Sequence, residues 1–215
     1  MKQELGYGRR IAAHLDQLLD VVRAAGRVFE AAPARPPASE APVRRVLEAV
    51  EANRLEPSHR ADEAAQVPAC RNLDVAIASA RLGGGEVAAL AHAIDDVAAS
   101  LAWRTRGDAE QFGPEFVAGH ADARILRSVE GDRDIIVGLS LLAPRVRYPD
   151  HAHPPEEVYA VLGSGEWWHE GGTWHEPGPG GVVHTPPGAV HAMRSSAQPL
   201  LAVWFQVDAS LSHRR

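Results

Sequence analysis

The stretch Tyr148-Pro-Asp-His151-Ala-His153-Pro-Pro-Glu-Glu157-Val-Tyr159 gathers two imidazoles, a carboxylate and two phenols. Side chains on an extended strand alternate faces, so His151 and His153 can meet one ion from the same side. Glu157 and Tyr159 keep the same parity, and the Pro154-Pro155 turn lets the next strand bring the carboxylate back. A fourth ligand must come from elsewhere, and Pro186-Pro-Gly188-Ala-Val-His191 supplies a candidate. Three imidazoles and one carboxylate suit Zn, Fe, Mn, Ni or Co better than Ca or Mg, whose sites are mostly oxygen. Histidine usage points the same way: of 11 histidines, six lie between His151 and His191. The spacing thus predicts one divalent transition metal ion held by His151, His153, Glu157 and His191.

These residues must be positioned by β-structure. From Ala123 onward short apolar or β-branched runs, such as Arg124–Val129, Asp134–Leu142, Glu157–Leu162, Thr173–His175 and Leu200–Val207, are cut by dense turn signals. Gly163-Ser164-Gly165 and Pro186-Pro187-Gly188 are two of those turns, and the pattern predicts an antiparallel sandwich or barrel. The first half differs. Leu15, Leu18, Leu19, Val22 and Phe29 recur at helical spacing, the Pro-rich run Ala32–Pro42 breaks that helix, and Gly83-Gly84-Gly85 stops a later one. The expected architecture is mainly β with a helical N-terminal part: a helical region, 1–120, packing on a barrel, 121–210, that holds the metal.

The pattern His151-x-His153-x3-Glu157 followed by Gly163, and then Gly180-x5-Pro186-x-Gly188-x2-His191, resembles the two motifs of the cupin superfamily. That resemblance implies a double-stranded β-helix, or jelly-roll, barrel. Two departures stand out: Gly163 falls one residue early, and Ser195 occupies a place where the second motif usually has Asn. Neither is a ligand position. A narrower resemblance rests on Tyr148, His151, His153, Glu157, Tyr159 and His191, whose spacings are similar to the signature of the cupin-type dimethylsulfoniopropionate (DMSP) lyases, the DddL and DddQ type. The length and helical first half look closer to the DddL branch.

Membership of that family implies a carbon–sulfur lyase splitting DMSP by β-elimination into dimethyl sulfide and acrylate. A metal would stabilise charge on the substrate carboxylate, and Tyr159 or Tyr148 would remove the α-proton. The sulfonium needs an aromatic wall, for which Trp167, Trp168, Trp174 and Trp204 are candidates, Trp167 and Trp174 foremost, with His184 as a further substrate contact. Two other classes use the same ligands: another metal-dependent cupin enzyme, a dioxygenase or an isomerase, and a non-catalytic small-molecule-binding cupin. The Tyr148/Tyr159 pair separates these readings, because a purely structural site needs no phenols beside its ligands.

Composition narrows the partners. A net charge of -6 and the lack of a basic recognition helix disfavour nucleic acid. A single cysteine, Cys70, leaves no disulfide framework and no thiolate zinc site. No apolar run is long enough to span a bilayer, so a cytoplasmic bacterial enzyme with a small-molecule substrate, paired as a homodimer, is expected. His14, His59 and His120 are expected at the surface or in the helical cap.

Overall fold

The computed structural model describes residues 2–129 and 134–208, with side chains from residue 12 onward. Four helices of two turns or more precede the barrel: α1 (Lys2–Ala31), α2 (Glu40–Glu51), α3 (Leu73–Leu82) and α4 (Gly85–Val97). The short α5 (Pro114–Gly119) leads into it. The helix ends follow local chemistry. Proline-rich sequence separates α1 from α2, and Gly84, at φ 69°, makes the left-handed turn between α3 and α4 that a Cβ would strain.

Nine strands follow one another: β1 (Leu55–Pro57), β2 (His120–Ser128), β3 (Ile135–Leu142), β4 (Arg147–His151), β5 (Glu156–Val161), β6 (Gly165–His169), β7 (Val182–Thr185), β8 (His191–Ser195) and β9 (Leu200–Val207). They form two antiparallel sheets, one ordered β1-β2-β3-β9-β5-β7 and the other β4-β8-β6. This is the jelly-roll barrel that the turn pattern predicts. The expected strand at Thr173–His175 is reduced to an isolated bridge, with His175 exchanging two hydrogen bonds with Trp167. Glycine and proline on both sides leave too little chain for a ladder.

Strand alternation divides the apolar residues into two cores. Val137, Leu139, Val158, Ala160, Val203 and Phe205 face outward from the large sheet and are buried by the helices. Leu18, Val22, Ala25 and Phe29 of α1 join that layer, with Phe29 packed on Phe205 at 5.2 Å between ring centroids. Each fully buried side chain of this kind contributes about 1.5–3 kcal/mol. The helical stripe is therefore consumed inside the chain, and among the described residues only Val75 and Leu82 remain as large exposed apolar side chains. The second core fills the barrel interior with Tyr148, Tyr159, Val161, Trp167, Met193 and Trp204.

The first half also reaches into the barrel. β1 extends the large sheet beside β2, and Arg104 exchanges two backbone hydrogen bonds of 2.8 Å with Asp122. The segment 102–107 is thereby tied to the barrel wall. Gly138 has a packing role here, because a Cβ at this position would lie 2.2 Å from Trp204 Cζ2 and 2.7 Å from the Ala123 carbonyl. The indole of Trp204 lies across β3 in the space that glycine leaves. Gly138→Ala is expected to cost about 1–3 kcal/mol in urea unfolding, as over-packed cores do. Wild-type stability in that variant would mean that Trp204 moves freely.

Candidate metal centre and active site

The three histidines converge from the small sheet. His151 ends β4, His191 begins β8, and the two are register partners with ring centroids 4.0 Å apart. His153 lies beyond the end of β4, in the turn before β5, and not on a shared strand as simple alternation predicts. Gly188 brings the second motif to the first: at φ 71° its amide donates to the His153 carbonyl at 2.9 Å. That turn sets His191 beside His153, at 5.1 Å between rings. One ring nitrogen from each of His151, His153 and His191 falls within 4.8 Å of the others.

Tyr148 enters through a defect in the ladder. It stands three positions before His151, so a regular strand would turn the two side chains to opposite faces. A register shift between Tyr148 and His151 places both in the barrel interior, and their rings lie 4.3 Å apart. Glu157 and Tyr159 come from β5 of the large sheet, with Glu157 paired to Gln206 and Tyr159 to Trp204. Glu157 is 3% exposed, and its Oε2 lies 3.1 Å from His153 Nε2 and 3.6 Å from His191 Nε2. Gln206 Nε2 donates to its other oxygen at 3.1 Å.

The donor set fits a metal ion. Each imidazole sets its Nδ1 against a backbone carbonyl: His151 against Pro149 at 2.9 Å, His153 against Pro155 at 2.8 Å and His191 against Ala189 at 3.0 Å. A carbonyl only accepts, so each Nδ1 carries a proton, and Nε2 of His151 and of His191 keeps its lone pair in the neutral ring. Nε2 of His153 instead faces the Glu157 carboxylate at 3.1 Å and donates to it a proton that a metal ion would displace. His191 is 1% exposed and its Nε2 has no hydrogen-bond partner, which is costly unless something accepts that lone pair. Burial and the neighbouring His191 hold His151 down to about 3, so its ring is neutral at physiological pH. Burial alone would raise the Glu157 carboxyl, but the hydrogen bond with His153 and the approach of His191 outweigh it and bring it to about 2. The same carboxylate raises His153 against the effect of its burial, so the centre presents the lone pairs of His151 and His191 beside a His153–Glu157 pair.

A cavity of about 590 Å³ opens on this centre; its wall includes Tyr148, Tyr159, His151, His153, Glu157 and Trp204, while His191 is buried away from it. Burial, together with Glu157 beside Tyr159 and Asp122 near Tyr148, raises both phenols above the ordinary tyrosine range. Both therefore stay protonated at neutral pH, Tyr148 even with the Arg106 guanidinium beside its oxygen.

The three foremost pocket candidates lie elsewhere. Trp167 is fully buried beneath Tyr159, 5.7 Å away, and fills the barrel core. Trp174 stands outside the cavity against Arg194, at 4.3 Å, because the segment that carries it leaves the sheet. His184 Nε2 pairs with Glu156 at 3.3 Å, since its place on β7 opposite Val158 turns it to the outer face. Trp204 is the tryptophan that lines the cavity.

Of the histidines expected at the surface or in the helical cap, three are buried, two of them at the barrel. His120 is fully buried, stacked on Phe116 at 4.7 Å and set edge-on to Tyr148 at 4.7 Å. His59 lines the cavity, and its ring nitrogens contact the Arg124 and Ser100 carbonyls at 3.2 and 3.0 Å. His14 is buried 6.5 Å from His59. Asp122 and Arg106 also line the cavity and were not singled out by spacing. The alternation Ala121-Asp122-Ala123-Arg124-Ile125, which puts charge on every second position of β2, is the signal that would have found Asp122. Ser195, the departure from the second motif, accepts from the Val146 amide at 2.9 Å and donates to the Ala143 carbonyl at 2.5 Å. It closes the loop before β4.

Fold and residues together define a cupin barrel with a histidine-lined centre. Residues 38–202 match the DMSP lyase family, and the chain belongs to that family. A stretch of 57 residues, 26% of this chain, is 42% identical to the dimethylsulfoniopropionate lyase DddQ of Ruegeria pomeroyi, and the match spans 28% of that protein's length. The structure of DddQ from the same organism superposes with a TM-score of 0.60 at 22% identity, covering 80% of this chain and 92% of that one. A structure described with the DMSP lyases RdDddP and RnDddQII gives a TM-score of 0.65 at 20% identity, over 93% and 96% of the two chains. At those identities the two structures show the shared fold, helical part included. No helix among the described residues is long and apolar enough to cross a membrane.

Proposed function

We propose that this chain cleaves DMSP by β-elimination at a single divalent metal ion held by His151, His153, Glu157 and His191, with Tyr148 and Tyr159 as its catalytic residues. The observation that carries this reading is the convergence of two phenols, His151, His153 and Glu157 on one cavity, with a ring nitrogen of the buried His191 within 4.8 Å of those of the other two histidines, in a chain of the DMSP lyase family. When bound, a divalent ion would supply Lewis acidity for the substrate carboxylate and favour ionisation of a nearby phenol.

The chain's own groups account for the rest. A phenolate at Tyr148 or Tyr159 takes the proton α to the carboxylate, and the C–H electron pair becomes the carbon–carbon double bond. The Cβ–S bond breaks with its electrons on sulfur, so dimethyl sulfide leaves neutral and no general acid is needed. Trp204, pinned across Gly138, offers an aromatic surface toward the sulfonium. Glu157 remains anionic and balances part of the centre's charge.

Headspace detection of dimethyl sulfide from purified protein given DMSP, after separate loading with Fe, Mn, Zn, Co and Ni, tests the reading. A signal well above that of a control lacking both hydroxyls, Tyr148→Phe with Tyr159→Phe, is expected with at least one metal. No signal with any of the five would overturn it.

A further inference from the structure

One cation at the cavity lies outside the cupin motifs. Arg106 sits on the tied-down segment before the barrel and lines the cavity beside Tyr148. Its guanidinium is held on three sides. Nε and Nη2 form a two-pronged pair with the Asp108 carboxylate, and Phe112 lies under the plane at 5.7 Å. The Tyr148 ring flanks it at 5.8 Å. Nη1 is left over, and its one contact is the Tyr148 hydroxyl at 3.4 Å, too long for a strong hydrogen bond. A rigid, planar cation with spare N–H capacity at a reaction cavity is built to receive a carboxylate. The surrounding charge agrees. Arg104 and Arg124 line the same cavity from exposed positions, although the protein is anionic overall. Asp122, which could compete for Arg106, is already engaged by the Ser140 hydroxyl and lies 3.0 Å from His120 Nε2.

We infer that Arg106 is a substrate-binding residue, its Nη1 donating to the carboxylate of the substrate while Asp108 fixes the guanidinium. This rests on the lyase reading for the identity of the substrate, but the chemistry recognised is a short-chain carboxylate. Arg106 brings that carboxylate against Tyr148, next to the carbon that loses its proton. It also rejects analogues in which the acid is an amide or ester, because their neutral groups leave the charge-assisted bond weakened.

The experiment uses full-length, metal-loaded protein and two readouts: the KM for DMSP, and the binding of propionate, which carries the carboxylate and lacks the sulfonium. Arg106→Gln is expected to raise KM about 10- to 100-fold and to weaken propionate by a similar factor, with metal content unchanged. Arg106→Lys should recover only part of that loss, since an ammonium cannot keep the two-pronged hold on Asp108. Asp108→Asn should fall between wild type and Arg106→Gln. Unchanged KM and propionate binding in Arg106→Gln would overturn the inference. So would a fall in kcat alone, which would make Arg106 a partner of Tyr148 and not of the substrate. If no metal yields dimethyl sulfide the lyase reading fails, yet propionate binding still decides the role of Arg106.

Discussion

His191→Ala is expected to fold and to lose its metal, with activity falling roughly 1000-fold or more as the Lewis acid disappears. His191 is the centre of the proposed ligand set. It opens the middle strand of the small sheet, between the register partners His151 and His169. Its Nδ1 is committed to the Ala189 carbonyl, and its buried Nε2 has nothing else to bind. The surrounding β8 ladder does not depend on the imidazole, so circular dichroism should remain that of the wild type. Elemental analysis is the direct readout, because it does not require turnover. His153→Ala should lose metal too, though His153 is less buried and already hydrogen-bonded to Glu157. Full metal retention in both variants would remove the site.

Tyr159→Phe and Tyr148→Phe form the second pair, and the one that removes the base should lower kcat about 10²- to 10⁴-fold. Both residues are buried in the barrel core, so phenylalanine keeps the packing and the thermal midpoint should move little. The two hydroxyls stand in different fields. Tyr159 is next to the Glu157 carboxylate, which opposes its ionisation, whereas Tyr148 has Arg106 at its oxygen. The variant that loses kcat while retaining KM and metal identifies the base. Near wild-type kcat in both would leave the proposed elimination without a proton acceptor.

Much of this was legible in the sequence because strand chemistry is local. The histidines, Glu157 and the Pro-Pro-Gly turn stand at spacings that mark strand ends and the turns between them, although His153 reaches the centre from a turn and Glu157 from the other sheet. Tyr148 shows where that logic stops. Its offset from His151 is wrong for alternation, and only the shift in register between the two turns it inward. The tryptophans were harder still. Trp167, Trp174 and Trp204 are equivalent by composition, and what separates core, surface and cavity wall is their pairing to distant strands. Gly138 matters because it faces Trp204 across β3 and β9, a pairing between residues 66 positions apart. Arg106 and His120 were illegible for the same reason. They precede the regular strands or stand at their edge, and reach the site through a segment whose path depends on the Arg104–Asp122 bridge.

The central claim is elimination at a metal-dependent centre, and proton NMR of DMSP incubated with chelated and then metal-reconstituted protein tests it most directly. The account predicts no conversion after chelation, and dimethyl sulfide and acrylate in equal amounts once the metal is restored. Conversion that persists without metal, or 3-hydroxypropionate in place of acrylate, would contradict it.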